Sequence, residues 1–432
     1  MATAKPYQIQ NTPDSLSRSE CVAIAMKNNP RILYWNSKID EAAAERNRAA
    51  GQRWPDITGT GSYSRYSETE RMAPPREPGY PMVYADEVLS WNIQASVPIF
   101  TGWRISSELG AYEFLKDSAR NRLEFTRRRI EYEVTELYFI ILKQSMVIQS
   151  FEFSHRTLGE HLKKIKSLIA AEKASRSDLL RVEVRLADIA QRMEMEKGDL
   201  AVHKRGLLNL MGIDREDITI RQSLNLYPDY QAPDFDEALS SAYSKRADYL
   251  AAQKQLEAQE KRVDAARSAY WPTVSLFASY SGQRAAGSFI EMPGAAYLED
   301  IARAGCVLEL PIFEGGRRGA EVDIEKAKLA GQENRLRDLE LQIRIEVESA
   351  VYHLESSKKR LAATDKAVDK AFESLRIERE KYELGKGAVT DVLDAESALQ
   401  KMRAARYSAL ADYNIQIARI RFKTGENHGS HQ

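Results

Sequence analysis

"PIFTGWR", residues 98–104, follows an alternating run and precedes a long charged one; "PIFEGGR", residues 311–317, does the same later in the chain. The offset is 311 − 98 = 213. It then holds to the end of each half: "SDLL" at 177–180 meets "TDVL" at 390–393, and "LMG" at 210–212 meets "KTG" at 423–425. Upstream, "RWP" at 53–55 matches "YWP" at 270–272 with 271 − 54 = 217, and Glu20 and Leu33 fall on Glu237 and Leu250. The chain therefore reads as two copies of one unit, residues 15–212 and 234–425. A linker, 213–233, joins them, and a tail, 426–432, closes the chain.

Each copy has one order of periods. A helix of about ten turns comes first, Leu16–Gly51 or Phe235–Ser268, with Pro30 its one internal proline. Trp-Pro ends it, because proline cannot continue a helix and biases its predecessor to extended geometry. Alternation follows. Leu89, Trp91, Ile93, Ala95 and Val97 oppose Ser90, Asn92, Gln94 and Ser96. Val274, Leu276, Ala278 and Tyr280 oppose Thr273, Ser275, Phe277 and Ser279. Ala302, Ala304, Cys306, Leu308 and Leu310 oppose Arg303, Gly305 and Glu309. Period two over roughly ten residues suits a tilted membrane strand. The expected β-hairpins are 56–98 and 273–311.

After each PIF the period becomes helical. Ile130, Val134, Leu137, Ile141 and Ile148 have the spacing of Ile343, Val347, Ala350, Leu354 and Leu361, a heptad seam. No proline occurs from 99 to 227. From Arg104 to Ala171 a continuous helix runs about 100 Å. A break follows near "EKASRS", 172–177, and, in the second copy, at "LGKGAV". The chain then returns through Leu179, Val182, Leu186, Ile189 and Met193. Long helical hairpins are expected over 104–212 and 317–425, each hung from a β-hairpin.

Composition narrows the function. The 63 basic and 63 acidic side chains cancel, so no electrostatic pull toward nucleic acid is expected. Two cysteines, Cys21 and Cys306, build neither a metal cluster nor a disulfide framework. His155 and His161 are six apart and do not share a helix face as paired ligands would. "FEGGRRGAE" lacks the spacing of a phosphate loop. No nucleophile, base and orienter fall in a recognisable motif, so neither an enzyme nor a cofactor is expected. Mean hydropathy is −0.49 and no apolar run reaches membrane-helix length. A β-barrel stays open, since its strands barely move that average. Four strands cannot close one, and lipid admits no open sheet edge. The chain must therefore associate with copies of itself if these strands span a membrane. The rival reading is a soluble coiled-coil scaffold.

"LSRSECVAIAMKNNP" at 16–30, Trp54-Pro55, the paired PIF segments and "YELGKGAVTDVLDAESAL" at 382–399 together resemble the TolC-like outer membrane efflux family. The resemblance covers nearly the whole chain. It implies a mainly α fold with a membrane β-barrel: a homotrimer with four strands per protomer in a twelve-stranded barrel, above a coiled-coil α-barrel in the periplasm. It implies an exit duct for efflux or type I secretion, working with a periplasmic adaptor and an inner-membrane pump of RND, ABC or MFS type. The implied location is the outer membrane, in contact with its lipid, with a signal peptide expected beyond "MATAKPYQIQ".

Matched position by position, the resemblance places Asp391, Asp394, Asp178 and Tyr382 at a periplasmic constriction. Ser175, Ser177, Gly385, Gly387 and Val389 fall on adaptor-docking tips. Some members carry Arg just after the glycine; Gly387 stands there here, so a closing salt bridge from that position is not implied. Pro98, Phe100, Gly102, Pro311, Phe313, Gly315 and Gly316 mark the strand-to-helix junctions, the prolines ending the ladder, the phenylalanines packing and the glycines bending. Residue chemistry alone also allows Asp391 and Asp394 to be solvated charges, with Asp391 a helix cap. It likewise leaves Trp54, Trp91 and Trp271 as either an aromatic girdle or ordinary packing.

Overall fold

The computed structural model describes residues 15–71, 83–170, 172, 175–221, 230–291 and 300–426. The expected hairpin turns at 72–82 and 292–299, part of the linker and all but the first residue of the tail lie outside the described residues. The chain divides into two compact units. One comprises Met1–Ser37, Arg120–Ala251 and Arg337–Gln432; the other Lys38–Ala119 and Ala252–Leu336.

The second unit contains an antiparallel sheet of β1 (Asp56–Arg71), β2 (Val83–Phe100), β3 (Thr273–Glu291) and β4 (Ile301–Glu309), in that order. Its register repeats the sequence offsets. Asp56 pairs with Ser96 as Thr273 pairs with Glu309, and Gly59 with Ile93 as Leu276 with Cys306. Apolar residues of the alternation, including Ile93, Leu276 and Leu308, lie exposed on one face, joined there by Ile57 and Tyr63 of β1. Pro98 does not end its ladder. β2 runs on to Phe100, with a register shift between Pro98 and Phe100. The β1 partner stops at Ser96, so Pro98 sits at a free edge beside a bulge, where a missing N–H costs no ladder bond. β4 does end before Pro311.

The junctions bend through left-handed backbone. Gly102 and Trp103 have φ of 60° and 66°; their counterparts Gly315 and Gly316 have 61° and 82°. Trp103 holds a conformation costly for a side chain. Its ring meets Phe100 and Trp271 edge-on, with centroids 5.1 and 5.2 Å apart. Phe313 has no such packing and is exposed within the chain, against the expectation that both phenylalanines pack. The reason is visible in the sequence: where Trp103 closes over Phe100, the second copy has Gly316.

The helices keep the repeat to the residue: α3 (Arg104–Ala170) and α7 (Arg317–Glu383) have 67 residues each, and α4 (Arg176–Met211) and α8 (Val389–Thr424) 36 each. Within the first unit the heptad positions Ile130, Val134, Ile343 and Val347 are fully buried. The opening helix of each copy is not continuous. It splits into α1 (Arg18–Asn28) and α2 (Pro30–Gly51), and into α5 (Phe235–Lys245) and α6 (Ala247–Arg267). Asn29 and Arg246 are extended, with ψ of 125° and 117°. Pro30 accounts for the first break. The second lacks proline. There the buried Arg246 guanidinium donates to both Asp248 carboxylate oxygens at 3.0 and 2.7 Å and to Glu346 at 2.7 Å.

Candidate functional site: the helix tips

Two turns close the helical hairpins of the first unit, and the site is built on them. Before α4, the Ser175 hydroxyl accepts from the Ser177 N–H at 3.0 Å, and the Asp178 carboxylate accepts from the Ser175 N–H at 3.3 Å. This is a capping box, satisfying orphan donors at a helix start. Before α8, alanine replaces serine at the matching place, so only half the box survives. The Asp391 carboxylate accepts from the Ala388 N–H at 3.3 Å. Asp178 and Asp391 are thus repeat equivalents doing the same local work. Asp391 and Asp394 are both exposed, three residues apart on one side of α8.

Tyr382, on the last turn of α7, is half-buried. It packs against the apolar cluster of Ile165, Val182, Ile189 and Val389 and against that of Leu375 and Val392. Burial, and then the charge of Asp178, push its phenol up. Its ring also meets His161 edge-on at 5.4 Å. So the structure brings Tyr382 and Asp178 into one neighbourhood, while Asp391 and Asp394 lie on the next helix. Ser175, Ser177 and Gly385 are exposed as tips require. Val389 is not: it is buried in the cluster beneath the turn, so its role here is packing, not docking.

The glycines differ. Gly385 has φ of 69° and open space around it. Gly387 is ordinary in φ but pressed: a methyl there would lie 3.1 Å from Lys381 Cβ and 3.2 Å from Tyr382 N. Glycine at 387 is what lets the turn fold back on the α7 end that carries Tyr382.

Two buried environments were not read from the sequence, those of His161 and Glu396. His161 on α3 is held below its ordinary imidazole range by burial, then by Lys164 and Arg379. Glu396 is buried; desolvation pushes its carboxyl up against the pull of Arg379, whose guanidinium is 3.6 Å away. The one available signal was periodicity: Val392, Ala395, Leu399 and Glu396 share a buried stripe of α8. Among the described residues no cluster of side chains fits a metal ion, and no helix is long and apolar enough to cross a membrane.

A β-hairpin followed by a long helical hairpin, written twice, defines the class of fold as TolC-like. Residues 238–426 match the family model of the outer membrane efflux proteins. The chain is similar to outer membrane efflux protein BepC of Brucella suis biovar 1 (strain 1330), 21% identical over 76% of this chain and 69% of that protein. It is also similar to multidrug resistance outer membrane protein MdtQ of Escherichia coli O157:H7, 24% identical over 70% of this chain; the match spans 63% of MdtQ, just under two thirds. Among solved structures, the transmembrane channel CusC superposes with a TM-score of 0.81 at 17% identity, covering 99% of this chain and 98% of CusC. At that identity the likeness concerns the fold.

Proposed function

We infer that the chain is the outer-membrane exit duct of a tripartite efflux or type I secretion assembly, a passive conduit from the periplasm to the outside. One observation carries the reading: a sheet with two edges and an exposed apolar face is continuous in sequence with two long coiled-coil hairpins. Ile57, Tyr63, Leu89, Ile93, Leu276 and Leu308 in water would be an aggregation liability; in lipid they are a barrel's outer surface. A soluble scaffold leaves that face unexplained. The edges call for further copies, and the family fold supports three, giving twelve strands. The tips then point at a periplasmic adaptor and, through it, an inner-membrane pump. Asp391 and Asp394 from three copies place six carboxylates around one axis, an arrangement that favours cations.

The test is fractionation and reconstitution. The protein is expected in the outer membrane, as an unheated band near three chain masses that collapses on boiling. Purified, it should raise the conductance of a planar bilayer. Recovery as a detergent-independent soluble monomer without conductance would sink the reading.

A further inference from the structure

His161 stands where the α3 seam calls for an apolar side chain. Val147, Phe151, Ser154, Leu158, His161 and Ile165 follow one another at spacings of 4, 3, 4, 3 and 4, the heptad rhythm of a packed helix. Phe151, Leu158 and Ile165 are buried in the apolar cluster beneath the tips. The two polar members fare differently. Ser154 is buried and donates to the side-chain carbonyl of Gln400 at 2.6 Å. The Nε2 of His161 is buried with no hydrogen-bond partner among the described residues.

What the imidazole does touch is Tyr382. The rings meet edge-on, with centroids 5.4 Å apart and planes at 62°. Charges reach this pair from three helices. Lys164 stands on α3 itself, α7 brings Arg379 and Glu383, and Asp178 at the start of α4 acts on the tyrosine. The Glu383 carboxylate favours a positive ring, but it is shared with the Lys164 ammonium 3.3 Å away. Burial, Lys164 and Arg379 already hold His161 below its ordinary range. An imidazolium carries a proton on both nitrogens. Charging His161 therefore puts an N–H without an acceptor against the seam, and a further positive charge beside Lys164 and Arg379. Both costs are relieved when the ring moves into water.

We propose that His161 is a positioning residue for Tyr382 and makes the tip of the hairpin sensitive to acid. The neutral ring seats the tyrosine and the turn that follows it. The protonated ring leaves the seam and lets both go. Packing favours the neutral ring, so it is complete at neutral pH and is lost as pH falls. A ring released into water titrates at about 6.5. Between pH 7.5 and 5.5 the released form then gains up to about tenfold over the packed one, the ceiling reached when the packed ring takes no proton at all. Carboxylates of ordinary strength, at about 4, do not titrate in that interval. The device concerns the packing of the tip; its effect on conduction rests in addition on the duct reading above.

Hydrogen exchange of the backbone amides of 381–390 reads that packing in the detergent-solubilised protein. Comparing parent and variant at one pH cancels the intrinsic pH dependence of exchange. The ratio of parent to variant rates should rise at least threefold from pH 7.5 to pH 5.5 for His161→Phe and for His161→Gln, both neutral throughout. His161→Gln carries the test if the phenylalanine disturbs the fold. His155→Gln, at an exposed site on the same helix, should keep the parent's rates at both pH values. In planar bilayers at 1 M salt the parent's conductance should rise over the same interval, and His161→Gln should remove the rise. A ratio that stays constant for a folded His161 variant overturns the proposal, as does loss of the pH effect in His155→Gln. Exchange that follows His161 while conductance does not leaves the positioning role standing and takes Tyr382 off the conduction path.

Discussion

A methyl group on Gly212 would lie 2.6 Å from the carbonyl oxygen of Asn28, and one on Gly425 2.9 Å from the carbonyl oxygen of Lys245. The two contacts are one contact written twice, since both members repeat at their own offsets. Each glycine is also left-handed, at φ of 65° and 73°, and ends its helix with its N–H returned to earlier carbonyls. Gly212→Ala and Gly425→Ala therefore add a left-handed side chain, about 1–2 kcal/mol, to an overpacked contact, about 1–3 kcal/mol. Each should lower the thermal midpoint of the detergent-solubilised protein clearly. Gly198→Ala is the control. It lies inside α4 with open space around it and should stabilise by about 0.5–1 kcal/mol.

Arg246 is the hub of the second helix break. Its guanidinium holds the buried Asp248 and also Glu346, which in turn accepts from Lys423 at 2.8 Å. Arg246→Leu leaves Asp248 as an uncompensated buried charge and should cost about 3–5 kcal/mol. Arg246→Leu with Asp248→Leu removes both charges and should recover most of that loss. Thermal melts of the two variants check this; equal destabilisation would mean that geometry, not charge, holds the break.

Glu346 and Glu396 give opposite pH signatures. Glu346 is lowered: burial raises it, but Lys423 and Arg246 outweigh burial. Its contribution is present above the carboxylate's unfolded pKa and is lost as pH falls through the folded value. Glu396 is raised, chiefly by burial. Its native state binds the proton more tightly than the unfolded state does, so its contribution is present at low pH and is lost as pH rises through the folded value. Glu396→Gln should thus raise the melting temperature at pH 7.5, with the gain shrinking toward zero at pH 4. A gain that is constant across that range would place its origin outside ionisation.

The repeat, both heptad seams and the strand alternation were legible because they are periodic, and period is set by backbone geometry. The repeat even predicts helix ends to the residue. What the sequence hid was set by partners distant along the chain. Nothing local at Arg246 announces a helix break; its partner Glu346 is a hundred residues away. Pro98 reads as a strand end, and only the shorter β1 beside it shows why the ladder continues. At the tips, Asp178, Asp391 and Tyr382 could be located from their turn. Val389 looked like turn surface because the stripe it joins belongs to three helices. Glu396 looked like one more solvated charge because a single letter carries no burial.

Gly387 sits against the backbone of the residue pair that carries Tyr382, whereas Gly385 faces open space. Gly387→Ala must push the turn away from Lys381 and Tyr382, and should change single-channel conductance or its gating with little loss of stability. Gly385→Ala adds a left-handed side chain costing about 1–2 kcal/mol, but leaves Tyr382 where it is. The expected split is conductance altered in the first and stability altered in the second. Identical conductance in both variants would detach the tyrosine from the conduction path.

Asp391 and Asp394 allow a sharper test of the duct. Asn at 391 still offers an oxygen to the Ala388 N–H, so the helix start survives the substitution. What is lost is charge. A unit charge about 6 Å from a passing ion in water is worth about 0.7 kcal/mol, a factor of about three in local cation concentration. Among the described residues Asp394 caps no helix, so it isolates the electrostatic effect most cleanly. Asp394→Asn should lower the potassium-to-chloride permeability ratio about threefold in planar bilayers at 0.1 M salt, and Asp391→Asn with Asp394→Asn should lower it further. At 1 M salt the Debye length falls to about 3 Å, and the difference between variants and parent should nearly vanish. Reversal potentials unchanged at low salt would mean that the two carboxylates face solvent away from the conduction path.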